Sequence, residues 1–179
     1  YMDLAIFFDS FAVAGDKDLL INLKDDLFYK LHDKDVFMAY FAKATLTFDT
    51  PSIIANFMTK THYIDIKKAG IFPIVQGIRS LALRERIRET TTNKRIKILE
   101  QQKVLTTNMA NELIEAFDVL CTLRLKSQLA KYQENKKINN EIDTHSLGKI
   151  ERDLLKDSLK IVIDFKKFIA HVFHTDKIS

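Results

Sequence analysis

The chain has 179 residues, of which 46% are hydrophobic and 29% charged, and a formal net charge of +4 at pH 7. These values are typical of one soluble globular domain. Because Lys and Arg alternate with Asp and Glu, the sequence excludes a basic nucleic-acid-binding arm, and the single Cys121 excludes an internal disulfide.

The chain begins with Tyr1 and runs directly into an apolar stretch, so we interpret it as part of a longer protein. Residues 4–14, "LAIFFDSFAVA", are apolar and aromatic and end before Gly15, a pattern that predicts a short strand. Only four Gly and two Pro are present, which favours long helices over many short strands. No apolar run reaches the roughly 18 residues of a membrane-spanning helix.

Helical periodicity dominates the rest of the sequence. The predicted helices cover residues 16–31, 33–47, 67–86, 92–103, 108–134 and a segment from about 146 towards the C-terminus. Pro51 is expected to end the second helix, residues 52–65 are ambiguous, and residues 135–146 read as a polar loop. The pattern predicts an all-α bundle of about five to six mostly antiparallel helices, preceded by the short N-terminal strand.

Two polar residues disturb the apolar stripe of the helix predicted over 108–134. At about 100° per residue, Arg124 falls inside the stripe and Gln128 lies at its edge. A guanidinium that faces a core is costly unless another group pairs with it. Two interpretations remain open: an ion pair with Asp or Glu, or a polar pocket between helices that receives an anionic or polar group.

The segment "YIDIKKAGIFPIVQGIR", residues 63–79, concentrates polar residues before an apolar helix. Asp65 and Pro73 suit the start of a helix. Arg79 and Arg86 are seven residues apart and share one flank, so they could form a basic strip with Arg124. The alternative is a pair of solvated arginines, which contribute little to stability.

The sequence contains no catalytic constellation of its own. The run "GDKD" at residues 15–18 reads as a helix start, and His171 and His174 lack a third metal ligand. No nucleophile elbow, phosphate-binding glycine loop or Cys-x-x-Cys pair is present. We therefore predict no metal site, no cofactor and no enzymatic activity for this chain alone.

Five segments together resemble one protein family. In chain order they read "FFDSFAVAGD", "YIDIKKAGIFPIVQGIRSLAL", "TTNKR", "LCTLRLKSQ" and "HSLGKIERDLLKDSLKIV". They resemble the nucleotidyltransferase substrate-binding domain at the C-terminus of bacterial signal-transduction proteins that carry CBS domains. Those proteins are similar to the uridylyltransferase of the PII nitrogen-signalling protein.

The resemblance implies a set of site residues. The residues expected to bind substrate are Asp65, Lys67, Arg79, Arg95, Arg124 and Gln128. Asp9 resembles the last carboxylate of the transferase domain and is the expected catalytic residue. The family has an Arg two residues after that Asp, and here the position is Phe11. The resemblance thus implies that residues 1–15 end a nucleotidyltransferase domain and that residues 16–179 form the helical substrate-binding domain.

Two functions are compatible with the sequence. In the first, the domain positions a nucleoside triphosphate or a protein acceptor for a neighbouring Mg²⁺-dependent nucleotidyltransferase domain, in a cytoplasmic chain that also carries CBS domains. In the second, it is a regulatory docking bundle that binds no nucleotide. A helical ribonuclease is disfavoured because no Arg is followed four to six residues later by His. No nucleic acid or membrane partner is expected.

Overall fold

The computed structural model describes residues 2–50 and 62–177. Within them the chain forms seven α-helices, and the predicted all-α bundle is confirmed. The helices are α1 (Met2–Asp9), α2 (Lys17–Leu31), α3 (Asp35–Lys43), α4 (Phe72–Arg84), α5 (Thr92–Gln101), α6 (Thr107–Gln133) and α7 (Lys149–Val172). Two short strands, β1 (Tyr63–Asp65) and β2 (Glu141–Asp143), complete the described elements together with short 3₁₀ and π turns.

Local chemistry fixes where the helices begin and end. The Asp16 side chain accepts a hydrogen bond from the backbone N–H of Asp18 and caps α2, and Thr106 caps α6 in the same way. At the C-terminal ends, Arg86, Lys103 and Asn135 adopt φ values of +56°, +60° and +55°. The backbone turns back at each of these residues, and the following N–H bonds to a carbonyl five residues earlier.

The core surrounds α4, which is buried on most of its surface, while α6 and α7 pack along each other. Two glycines allow close approach of the backbone. A Cβ at Gly77 would lie 2.5 Å from the Phe165 ring on α7, and a Cβ at Gly70 would lie 2.6 Å from Leu120 on α6. A larger residue at either position would therefore force the neighbouring side chain to shift, because that side chain occupies the space.

Strands β1 and β2 form an antiparallel pair that ties the start of α4 to the connection between α6 and α7. Ile64 pairs with Ile142, and both are buried. The Ile66 N–H donates to the Asn140 carbonyl at 3.1 Å and continues the ladder. The sequence missed this pairing, because three residues per strand are too few to show a period of two.

The predicted N-terminal strand is wrong, because residues 2–9 form α1. Ala5 and Phe8 are its buried residues and follow the i, i+3 spacing of a helix. A short apolar run cannot by itself distinguish a strand from a buried helix. The helix predicted from residue 67 begins as a π turn, Lys67–Ile71, and becomes α-helical at Phe72, next to Pro73. Pro51 and most of the ambiguous segment 52–65 lie outside the described residues.

No helix in the described ranges combines the length and the apolar composition that would let it cross a membrane.

Candidate functional site

Asp9, the last residue of α1, accepts hydrogen bonds from two arginines on different helices. Arg79 of α4 donates from Nε and Nη2 to Asp9 Oδ2, at 2.9 and 2.6 Å. Arg95 of α5 donates from Nη1 to Oδ1 at 2.7 Å. Both carboxylate oxygens are therefore used, and the charge-assisted bonds join three helices at one point. We call Asp9, Arg79, Arg95 and the adjoining Lys24 the Asp9 cluster.

Arg95 is the most deeply buried charge of the Asp9 cluster, with only 1% of the residue exposed. Its Nε donates to the Glu89 carbonyl, and its Cζ lies 4.5 Å from the centre of the Phe8 ring, a cation–π contact. Burial lowers the pKa of Arg95 from its ordinary value, and the charge and hydrogen bond of Asp9 oppose this effect. Nη2 is buried and has no hydrogen-bond partner among the described residues, so the guanidinium is only partly satisfied.

Neutral groups also hold the other two cations of the cluster. Arg79 donates from Nη1 to Gln76 Oε1 at 2.6 Å. Lys24 of α2 is buried and donates to the backbone carbonyls of Phe8 and Ser10, at 3.0 and 2.6 Å. Burial lowers the pKa of Lys24, the charge of Arg95 lowers it further, and Asp9 opposes both. Three cations thus converge around one carboxylate.

The segment before α5 is ordered by Glu89, which lies next to the Asp9 cluster. Its Oε1 accepts backbone hydrogen bonds from Thr91 and Thr90, at 2.9 and 2.8 Å. The bond from Thr91 is the largest cause that lowers the pKa of Glu89; burial opposes it, and the Thr90 bond acts in the same direction. These bonds fix the turn whose carbonyl holds Arg95.

The remaining predicted site residues lie around the β1–β2 pair. Arg124 is half-buried and donates from Nε to Asn140 Oδ1 at 2.8 Å, and none of the ion pairs among the described residues includes it. Gln128 lies beside it and donates to the Asn139 carbonyl at 3.4 Å. Asp65 accepts a bond from the Lys68 backbone N–H at 3.0 Å, and Lys67 is exposed.

The structure therefore divides the predicted residues into two groups. Arg79 and Arg95 meet at Asp9, whereas Arg124 bonds to Asn140 and does not join them. Arg86 is exposed beyond the end of α4 and belongs to neither group. The predicted basic strip of Arg79, Arg86 and Arg124 is not formed as a unit.

The family profile described as "Putative nucleotidyltransferase substrate binding domain" matches residues 35–173. The chain belongs to this family. No curated protein and no solved structure matches the chain.

The matched range of this substrate-binding domain includes both arginines that contact Asp9, but Asp9 and Lys24 lie before it. Lys24 was not among the predicted site residues. Its only signal in the sequence is its position four residues before Phe28, on the same face of α2.

The Asp9 cluster does not fit a Mg²⁺ site. Mg²⁺ requires several oxygen ligands, and here a single carboxylate is already bonded through both oxygens to guanidinium groups. The surplus of positive charge would also repel a cation. The geometry instead suits the holding of an anionic or polar group.

Proposed function

We propose that this substrate-binding domain positions a nucleotide or a protein acceptor for a nucleotidyltransferase domain in bacterial signal transduction, and that it transfers no nucleotide by itself. The observation that carries the proposal is the Asp9 cluster, in which Arg79 and Arg95 are fixed by hydrogen bonds before any ligand arrives. Any Mg²⁺ of the reaction would be held by carboxylates outside the cluster.

The cluster has the properties of a preorganised positioning site. Arg95 cannot move without breaking its bonds to Asp9 and to the Glu89 carbonyl, so its charge stays in place. Asp9 keeps 30% of its side chain exposed, and Arg79 keeps 14%. A polar ligand can therefore approach the rim of the cluster, where fixed cations orient it with little loss of side-chain entropy.

The N-terminal segment, residues 2–23, carries a second feature that fits a neighbouring domain. Within the described residues, exposed large apolar side chains are frequent between residues 2 and 23. They are Met2, Ile6, Phe11, Val13, Leu19, Ile21 and Leu23. Single exposed apolar residues need no explanation, but such a concentration beside Asp9 favours burial against another protein surface.

Nucleotide transfer by a protein that carries this domain together with its transferase domain tests the proposal. Arg79→Gln should lower kcat/KM by at least about tenfold, because it removes two charge-assisted bonds and a fixed cation. The matched control is Arg84→Gln, which alters an exposed arginine paired with Glu85.

Equal kinetics of the two variants would contradict a positioning role. Urea unfolding of both proteins shows whether Arg79→Gln acts through stability instead. The 179-residue chain alone should incorporate no labelled nucleotide above a denatured sample.

The exposed apolar residues between Met2 and Leu23 also favour a second candidate, a docking bundle without nucleotide binding. In that case Phe11→Ser should weaken association with the partner domain, while Arg79→Gln leaves transfer unchanged. Phe11 is 70% exposed, so its substitution should not affect folding. Co-purification of separately expressed domains measures this association.

A further inference from the structure

A groove of about 570 Å³ lies beside the C-terminal half of α6. Its walls come from residues 123–131 of α6, from residues 134–147 of the following connection, and from Tyr63 of β1. We call it the α6 groove. Its volume lies within the range of small-molecule sites, and neither Asp9, Arg79 nor Arg95 lines it.

Two lysines of the groove have charges that no carboxylate neutralises directly. Lys131 Nζ donates to Asn139 Oδ1 at 2.6 Å and to the Glu141 carbonyl, both of which are neutral acceptors. The ammonium is therefore held in place and keeps one N–H for another acceptor. Lys137 is exposed and forms no hydrogen bond or ion pair with any residue in the described ranges. Both lysines line the groove, where an oxyanion would find cationic donors.

Each carboxylate that lines the groove has at least one partner within the protein, and one of them is paired with a lysine of the groove. Glu134 pairs with Lys136 at 2.7 Å. Glu141 accepts a bond from Asn139 Nδ2 at 3.2 Å, and Asp143 accepts one from the backbone N–H two residues later at 2.9 Å. Lys131 and Lys137 are therefore the lysines of the groove without a carboxylate partner among the described residues, and they mark where an oxyanion would bind.

The groove also offers a surface for a flat apolar group. Tyr63 is 61% exposed at its rim. Leu123, Ile142 and Leu147 line it and are otherwise buried. Because these three residues are at most 7% exposed, the apolar contact comes mainly from Tyr63, on which an aromatic ring can stack as nucleobases do on exposed aromatic side chains.

The polar residues of α6 hold this wall in place. Arg124 and Gln128 bond to the Asn139–Asn140 turn, and Ser127 donates to the Glu141 carbonyl at 3.2 Å. With Lys131 they lie on one face of the helix, at the i, i+3, i+4 and i+7 positions. Arg124 and Gln128 are thus positioning residues for the groove.

We propose that the α6 groove is a second ligand site, which binds a nucleotide with its base against Tyr63 and its phosphates between Lys131 and Lys137. This site is separate from the Asp9 cluster. The residue of α6 that bonds to the first turn of α5 is Asp118, and Lys131 lies about 20 Å further along the helix axis at 1.5 Å per residue. The site therefore does not depend on the proposed role of Arg79.

Calorimetric titration of the 179-residue chain with ATP, inorganic triphosphate and adenosine tests the site. ATP should bind at least about tenfold more tightly than triphosphate or adenosine, because only ATP contacts both halves of the groove. Lys137→Glu should weaken ATP binding by at least about tenfold. The control Lys97→Glu removes the same charge from an exposed position on α5 outside the groove, and should change ATP binding by less than about twofold.

Tyr63→Ala distinguishes the contribution of the base to binding from that of the phosphates. It should weaken ATP binding and leave triphosphate binding unchanged, with the same circular dichroism spectrum as the parent chain. Three outcomes would overturn the site: no ATP binding at about 1 mM ligand, equal binding of ATP and triphosphate, or equal effects of Lys137→Glu and Lys97→Glu. None of these outcomes bears on the transfer kinetics of Arg79→Gln.

Discussion

Substitution of Asp9 by Asn tests how strongly the Asp9 cluster depends on its one carboxylate. The change preserves the shape of the side chain and removes the negative charge that Arg79 and Arg95 share. Arg95, 1% exposed, would then be a buried cation without a counterion at hydrogen-bonding distance. We expect the free energy of unfolding to fall, because the desolvation of Arg95 is no longer offset.

The size of the expected loss in unfolding free energy follows from how deeply Asp9 and Arg95 are buried. Removal of one partner of a fully buried pair costs about 3–5 kcal/mol. Because Asp9 is 30% exposed, solvent already screens part of its interaction, and the expected loss is about 2–3 kcal/mol. Asn can still accept hydrogen bonds from one arginine, which also places the value below the fully buried limit.

Urea unfolding followed by circular dichroism measures this difference, provided the slope with urea concentration is unchanged. The matched control is Asp25→Asn, which breaks the exposed pair between Asp25 and Arg88 and should cost less than about 1 kcal/mol. If Asp9→Asn is no more destabilising than Asp25→Asn, the carboxylate does not hold the cluster together, and the argument from buried charge is wrong.

Three further predictions concern other parts of the chain. Arg124→Met should lower the free energy of unfolding by about 1 kcal/mol in urea, since it loses one bond to the neutral Asn140 side chain. Glu89→Gln should flatten the acid side of the stability curve measured between about pH 3 and pH 7, because the pKa of Glu89 is lowered on folding. The contribution of Glu89 to the free energy of unfolding is present above the unfolded pKa and is lost as the pH falls through the folded pKa. Gly77→Ala should lower the melting temperature and cost about 1–3 kcal/mol, because its Cβ would overlap the Phe165 ring.

Each of these three predictions can be contradicted by a specific result. A loss above about 3 kcal/mol for Arg124→Met would reveal a carboxylate partner that the geometry does not include. An unchanged acid limb in Glu89→Gln would show that its backbone bonds do not persist in solution. Gly148→Ala is the control for Gly77→Ala, because the nearest atom to its added Cβ is 3.9 Å away, and equal effects of the two would contradict the packing argument.

Much of the helical architecture could be predicted from the sequence, since long amphipathic segments have a strong period. The limits of α6 differ from prediction by one residue at each end, Thr107–Gln133 against 108–134. The prediction was wrong where the pattern is short. Residues 4–14 were read as a strand, whereas residues 2–9 form α1. Strands β1 and β2 were missed because their pairing is between residues far apart in the sequence.

The candidate site was less predictable than the fold. The resemblance named Asp9, Arg79 and Arg95 separately. Only the packing of α1, α4 and α5 shows that both arginines bond to the Asp9 carboxylate. Lys24 carries no motif and could not be found from its spacing alone. For Arg124 the sequence left an ion pair and a polar pocket open, and the partner is a neutral amide from a segment that was read as a loop. Whether these residues bind substrate remains a prediction.

Residues with a left-handed backbone conformation at the helix ends are positions where this domain can be made more stable without any change to the Asp9 cluster. Lys103 follows α5 with a φ of +60°, a conformation that costs a side-chain-bearing residue about 1 kcal/mol and glycine almost nothing. Arg86 and Asn135 end α4 and α6 in the same way. Glycine at Lys103 and Arg86 should raise the unfolding midpoint, and the resulting protein would tolerate substitutions such as Asp9→Asn while staying folded. Because this sequence has few glycines, its helix ends offer positions where glycine would stabilise the domain. In such a stabilised background, substitutions of the buried charges could be studied in a folded protein.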